Sequence, residues 1–287
     1  MHNPLVAAQF IARYQERRIN SPAANKGNMK DFLLNEKYTE LLKQNGVADA
    51  RSLCQLAGTD VKKKVAERGT EKILLKSAGG EFETYLKRYR PLPLFEILKN
   101  LFSLKPVFFD GAFHEWKALT AFAECGIPAP EPVAAAKFAD ETCVLSAGIR
   151  NYVRASELFG SFSRADFPRK KRIIAKIAKL AATMHRSNFA HQDLYLLHFF
   201  VVSSENDKVY LIDLQRVIMS EKLSKRWIAK DLGQLLFSSE GLCSRTDVMR
   251  FWLGYAKIIP RFKKDRAFIR RILRKAETIR TRHRKKS

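Results

Sequence analysis

The chain has 287 residues, 46% of them hydrophobic and only 13 Gly and 10 Pro, which excludes a low-complexity disordered chain and leaves room for one large domain or two lobes around a cleft. Cys54, Cys125, Cys143 and Cys243 are scattered with no CxxC pair, which argues against a structural zinc site or a disulfide framework and fits a reducing cytoplasm. Lys plus Arg outnumber Asp plus Glu by 53 to 29, a net charge of +24, so a polyanionic partner is expected: nucleic acid, an anionic membrane surface or a phosphorylated glycolipid.

Residues 1–50 read as polar and helical, with turns near Ser21-Pro22 and Asn45-Gly46. The first residues carry no signal-peptide pattern, and no apolar run reaches the roughly 18 residues of a spanning helix, so a soluble or peripheral protein is expected. Lys72 to Leu75 and Phe82 to Leu86 are β-leaning runs on either side of Gly79-Gly80, which predicts a hairpin. Pro91 and Pro93 break that pattern, and Leu94, Phe95, Ile97, Leu98, Leu101 and Phe102 then recur at helical spacing. A second helix carries His114 to Phe122 and ends at Gly126, ahead of Pro128, Pro130 and Pro132. The stretch from Val133 to Val153 leans β again.

Past residue 155 the pattern turns helical. Ile173, Ile177, Leu180 and Met184 mark one face of a long amphipathic helix. Two short strands follow, Phe199 to Val202 and Val209 to Ile212, around a turn at residues 204–207, and the remainder is helical. These changes divide the chain into a helical extension at 1–50, a β-rich N-lobe at 51–148, a mainly helical C-lobe at 149–260 and a basic helical tail at 261–287. In that tail 13 Lys and Arg stand against Asp265 and Glu277, and Phe268, Ile269, Ile272 and Ile279 interleave with arginines, a pattern that suits docking on an anionic membrane surface. The same tail also reads as a solvated basic helix.

The sharpest motif is His191-Gln192-Asp193-Leu194-Tyr195-Leu196-Leu197-His198, followed by Leu211-Ile212-Asp213-Leu214-Gln215. A kinase catalytic loop reads H-R-D-x-x-x-x-N, and its metal-binding aspartate ends a nearby strand. Phosphoryl transfer needs one carboxylate to orient or deprotonate the attacking hydroxyl and another to hold Mg²⁺ against the nucleotide phosphates. Asp193, with His191 opening its loop, suits the first role, and Asp213 the second. Taken singly, Asp193 reads better as a turn cap and Asp213 as a strand end; it is their order and context together that favour the kinase reading. Upstream, Lys87 lies in a β-leaning run where it can meet nucleotide phosphates if a helix glutamate, best Glu115, holds it; Arg88 and Lys76 are its rivals. Asp231 reads either as a brace for the catalytic loop or as a helix-start carboxylate favoured by the helix dipole.

These residues, in HQDLYLLHFF, LIDLQRV and AKDLGQLLFSS, preceded by ETYLKRYR and GAFHEWKAL, resemble the lipopolysaccharide core kinases of the Kdo/WaaP family over roughly residues 65 to 240. The resemblance implies an α+β, bilobal, protein-kinase-like fold and transfer of phosphate from ATP, with Mg²⁺, to a heptose or Kdo hydroxyl of a lipopolysaccharide core. It makes Lys87 the nucleotide lysine, Glu115 its partner, Asp193 the catalytic carboxylate and Asp213 the metal ligand. His198 stands where protein kinases carry asparagine, at the second metal-facing position; it also reads as a packed histidine beside Tyr195 and Phe199. Gln192 replaces the loop arginine, and Asp213-Leu214-Gln215 replaces D-F-G. The phosphate-covering segment offers only Gly69, with Arg68 beside it.

A peripheral glycolipid kinase at the inner face of the cytoplasmic membrane is therefore the leading expectation. Two others come from different classes: a nucleotide-binding pseudokinase, motivated by Gln192 and the missing glycines, and an atypical protein or RNA-associated kinase, motivated by the charge.

Overall fold

A computed structural model of the chain describes residues 31–58, 60–65, 68–90 and 111–285. The turn expected at Ser21-Pro22, the helix expected over Leu94 to Phe102 and the side chain of Arg68 lie outside the described residues. The described chain falls into two compact units, one holding residues 31–120 and 130–150, the other 121–129 and 151–285.

The N-terminal unit is built on one antiparallel sheet. Its strands are β1 (Phe32–Leu34), β2 (Asp60–Val65), β3 (Arg68–Ser77), β4 (Gly80–Tyr89), β5 (Pro132–Phe138) and β6 (Glu141–Ala147), in the order β1-β5-β6-β4-β3-β2. The β3–β4 hairpin closes where expected, with Ser77 opposite Gly80, and Gly80 takes a φ of +106° that its missing Cβ permits. Short helices α1 (Thr39–Gln44) and α2 (Ala50–Cys54) add to this unit, α2 entered by a capping box between Asp49 and Ser52. Tyr38, Leu42 and Leu53 pack with Ile73, Leu75, Leu86 and Leu145 in one core. Residues 31–50 are therefore part of the sheet unit and not a helical extension. The reason is Phe32–Leu34, which pairs with Ala134–Ala136 and buries the segment after it.

The helix α3 (Gly111–Glu124) is followed by β5 and β6, and the C-terminal unit then begins with β7 (Tyr152–Arg154) and α4 (Ala155–Ser161). Its central helix is α5 (Phe167–Arg186), which buries Ile173, Ile177, Leu180 and Met184 on the face its periodicity predicts. Next come β8 (Phe189–Ala190), β9 (Phe199–Val202), β10 (Lys208–Leu211) and β11 (Ile218–Met219). The β9–β10 hairpin pairs Phe199 with Leu211 and turns through Asn206 and Asp207, both at positive φ.

Three helices complete this unit: α6 (Lys225–Ser238), α7 (Arg245–Ile258) and α8 (Arg266–Arg284). Helix α8 is the basic tail, and it is docked. Phe268, Ile272 and Ala276 are buried, and a Cβ on Gly233 of α6 would lie 2.8 Å from the Lys275 Cβ. Its apolar stripe is thus largely spent inside the unit, which corrects the expectation that Phe268 and Ile272 offer a membrane face. The arginines point outward because burial without partners would cost several kcal/mol each, on the order of the penalty for any lone buried ion.

Candidate active site

Strand β4 alternates. Thr84 and Leu86 face the core, so Lys87 and Tyr89 share the other face. On that face Glu115 of α3, 4% exposed, receives both: Lys87 Nζ lies 2.6 Å from its Oε1, and the Tyr89 hydroxyl donates to its Oε2 at 2.5 Å. Gly111 makes room for this, since a Cβ there would lie 2.6 Å from the Tyr89 ring. The rival Arg88 points elsewhere. Its guanidinium reaches the Cys54 and Leu56 carbonyls, Glu71 and Glu141.

The segment expected to cover phosphate lies at the tip of the β2–β3 ladder. Arg68 pairs with Val65 at the end of that ladder, and Gly69 is the next ladder residue, opposite Lys64 and Arg88.

In the C-terminal unit the catalytic-type loop runs from β8 to β9. Helix α6 holds it through one face. Asp231, fully buried, accepts the His191 amide at 2.7 Å and the Gln192 amide at 2.8 Å. Gln234 accepts the Leu194 amide at 3.2 Å and donates to the Gln192 carbonyl at 2.9 Å, while Ser238 Oγ accepts the Leu196 amide at 2.8 Å. Residues 231, 234 and 238 stand three and four apart, so they lie on one helix stripe. Behind them the Tyr255 hydroxyl donates to His185 Nδ1 at 2.8 Å, and His185 Nε2–H donates to Asp231 at 3.2 Å. These amides need such partners because the loop backbone is irregular, with Gln192 at φ +72°.

The Asp193 carboxylate emerges from this frame, its side chain 24% exposed. Arg216 Nη1 donates to both of its oxygens, at 3.1 and 2.8 Å, and Gln234 Nε2 approaches at 3.5 Å. Lys230 donates to Gln192 Oε1 at 3.0 Å. Burial, with Arg216 beside it, pushes the Lys230 ammonium down to about 8. Gln192 thus fills the arginine position with a buried amide whose Oε1 is held; its Nε2 has no partner among the described residues.

His191 has another place than the one expected. It is fully buried, its Nε2–H donates to the Ile212 carbonyl at 2.9 Å, and its Nδ1 accepts the Asp193 amide at 3.3 Å. Burial holds its imidazole below the ordinary range, so it stays neutral. With both nitrogens engaged by backbone, His191 shapes the loop and does not face a substrate.

His198 faces the other aspartate. Its Nδ1–H donates to the Asp193 carbonyl at 2.6 Å, which leaves Nε2 directed at Asp213 Oδ2, 3.9 Å away. Asp213 itself sits at φ +66°, a left-handed turn that carries its carboxylate out of β10. This donor set suits Mg²⁺ that arrives with a nucleotide, since Mg²⁺ takes one or two carboxylates plus phosphate oxygens and keeps waters. No cluster of three His, Cys, Asp or Glu exists among the described residues, so a self-sufficient metal cage is not built there. Sequence reading missed Arg216, Lys230, Gln234 and Ser238; the spacing of Asp231, Gln234 and Ser238 was the available signal.

Comparison with known proteins agrees with this arrangement. The model of the lipopolysaccharide kinase (Kdo/WaaP) family matches residues 58–255. The lipopolysaccharide core heptose(I) kinase WaaP of Escherichia coli is 29% identical over 194 residues, 60% of this chain and 69% of the relative. That of Pseudomonas aeruginosa is 30% identical over 189 residues, 60% of this chain and 68% of the relative. Among solved structures, WaaP in complex with acyl carrier protein superimposes with a TM-score of 0.66 at 22% identity, over 86% of this chain and 98% of that one, which establishes the shared fold. With a β-rich N-terminal region, a helical C-terminal region and a family match across most of its length, the chain belongs to the lipopolysaccharide kinase (Kdo/WaaP) family.

Proposed function

We propose that this chain transfers the terminal phosphoryl group of ATP to a sugar hydroxyl, of heptose or Kdo, in a lipopolysaccharide-core-type glycolipid. The observation that carries the proposal is the Asp193 carboxylate, presented by a loop whose amides Asp231, Gln234 and Ser238 all fix. Asp193 orients the acceptor hydroxyl and takes its proton as the oxygen attacks phosphorus. Lys87, held by Glu115, offers its ammonium to the nucleotide phosphates. Asp213, with His198 beside it, would hold Mg²⁺, which neutralises the phosphate charge when bound. The direct test is incubation with ATP, Mg²⁺ and dephosphorylated core oligosaccharide, read by mass spectrometry. Absence of phosphorylated sugar where an authentic heptose kinase works would refute it.

The location proposed is the inner face of the cytoplasmic membrane, supported by the exposed arginines of α8 and a net charge of +24. Sedimentation with anionic and neutral vesicles tests it, binding to the anionic ones alone being the expected result. The solved relative's acyl carrier protein suggests a partner of that class here too. In support, an apolar cavity of about 560 Å³ lies among α5, α6, α7 and α8, walled by Ile177, Leu232, Leu235, Trp252, Leu253 and Ile272. Co-elution with acyl carrier protein on size exclusion is the check.

A further inference from the structure

Two of the four cysteines meet. Cys54 ends α2 and Cys143 lies in β6, 89 residues apart in sequence, and their sulfurs are 2.9 Å from one another inside the N-terminal unit. A disulfide needs about 2.0 Å between sulfurs, so the pair closes with a movement of less than about 1 Å. Cys125 and Cys243 are free thiols placed elsewhere, and burial pushes both up, Cys243 to about 11.

The two sulfurs are not equivalent. Cys143 is fully buried in the sheet, opposite Arg88 of β4. Cys54 is 7% exposed and borders a cavity of about 390 Å³ walled by Gln55, Arg90, Phe138, Asp140 and Glu141. The hydrogen bond from the Cys143 thiol, opposed by burial and Glu141, holds Cys54 below its ordinary value, while the same bond and burial push Cys143 up. Cys54, which borders the cavity, is therefore the sulfur that an incoming small molecule meets first, and Cys143 lies behind it as a thiol.

We propose that Cys54 and Cys143 are a thiol–disulfide exchange site for a small-molecule disulfide, with Cys54 attacking and Cys143 resolving. The Cys54 thiolate attacks one sulfur of the small disulfide; that S–S bond breaks, and a small thiolate leaves and takes up the proton Cys54 lost. Cys143 then gives up its proton and attacks the Cys54 sulfur, and the second small thiolate departs with that proton. Two protein thiols are oxidised to one disulfide, and one small disulfide is reduced to two thiols. The bond ties α2 to β6, the strand beside β4, which carries Lys87. It closes a long loop of chain and so restricts the unfolded state.

The test uses the full chain with oxidised glutathione, followed by alkylation and peptide mapping. The expected result is a fall from four free thiols to two, a Cys54–Cys143 cross-linked peptide and a higher Tm, all reversed by dithiothreitol. Cys143→Ser is expected to stop at a glutathione adduct on Cys54, and Cys54→Ser to leave Cys143 unmodified. Adducts on Cys125 or Cys243 while Cys54 and Cys143 remain thiols would overturn the proposal, as would modification of Cys143 ahead of Cys54. Should either variant fail to fold, the wild-type peptide map decides alone, and none of these readouts depends on kinase activity.

Discussion

Arg216 and Asp193 form a two-point ion pair, one guanidinium nitrogen donating to both carboxylate oxygens at 3.1 and 2.8 Å. The pair fixes the carboxylate in place, while the Arg216 side chain itself stays 41% exposed and partly screened by water. Asp193→Ala is expected to lower kcat by roughly 10²–10⁴-fold with nucleotide binding retained. Arg216→Ala lowers kcat by a smaller factor, on the order of tenfold, by loosening the base from its productive geometry. Steady-state kinetics beside calorimetric ATP titration separates the two.

Glu115 serves two donors at once, so its loss weakens the hold on both. Glu115→Gln keeps the shape and removes the charge that holds Lys87. Stability should fall by about 1–3 kcal/mol in urea unfolding, and the KM for ATP should rise. Lys87→Met should raise that KM at least as much while costing less stability, since Tyr89 still satisfies Glu115.

Asp231→Ala removes the acceptor for two buried loop amides and for His185. A loss of about 3 kcal/mol is expected, which lowers Tm by about 10 °C in a domain of this size. Activity falls with it even at temperatures where the variant is folded, because the loop that presents Asp193 is no longer fixed. Differential scanning calorimetry and hydrogen exchange at residues 191–194 measure the two effects.

Lys230 makes stability depend on pH in the alkaline range. Its folded value, about 8, lies below the 10.5 of the unfolded chain, so between those values the unfolded state binds more protons and stability rises with pH. Arg216 and Lys275 disfavour its charge, and Asp193 and Asp231 favour it. Lys230→Met removes the titrating group. The Tm difference between variant and wild type is therefore expected to drift in the wild type's favour from pH 7 to pH 10.

Gly233→Ala runs against helix propensity. In an open helix the change stabilises by about 1 kcal/mol. Here the new methyl meets Lys275 Cβ and Cγ at 2.8 and 2.9 Å and the Ala276 amide at 3.3 Å, so the α6–α8 crossing must widen and Tm should drop.

The elements that sequence disclosed are those with a strong local pattern. The β3–β4 hairpin has two alternating runs around glycines, α5 has an apolar stripe from Ile173 to Met184, and Asp193 and Asp213 sit at motif spacing. β1 escaped because three residues, Phe32–Leu34, are too few to show a period, and its strand character comes from pairing with Ala134–Ala136. Arg216 and Lys230 escaped for another reason. A cation near a carboxylate in space carries no local signature when it stands 23 or 37 positions further along the chain. His191 was placed among the reacting groups because its motif position is unmistakable, whereas its burial is a property of the folded chain alone. The apolar residues of α8 look the same in sequence whether they meet lipid or a neighbouring helix, and the burial of Phe268 and Ile272, with Gly233 letting α6 approach at Lys275 and Ala276, tells which.

Helix α6 faces two ways. Asp231, Gln234 and Ser238 turn to the loop of Asp193, while Gly233, roughly 3 Å along the axis from Asp231, turns to α8. A rigid rod has one tilt, and it cannot satisfy the loop amides in two positions at once. One helix thus seats both the basic tail and the loop of Asp193, so Gly233→Ala, which must widen the α6–α8 crossing, is expected to speed hydrogen exchange at residues 191–194 as well as lower Tm.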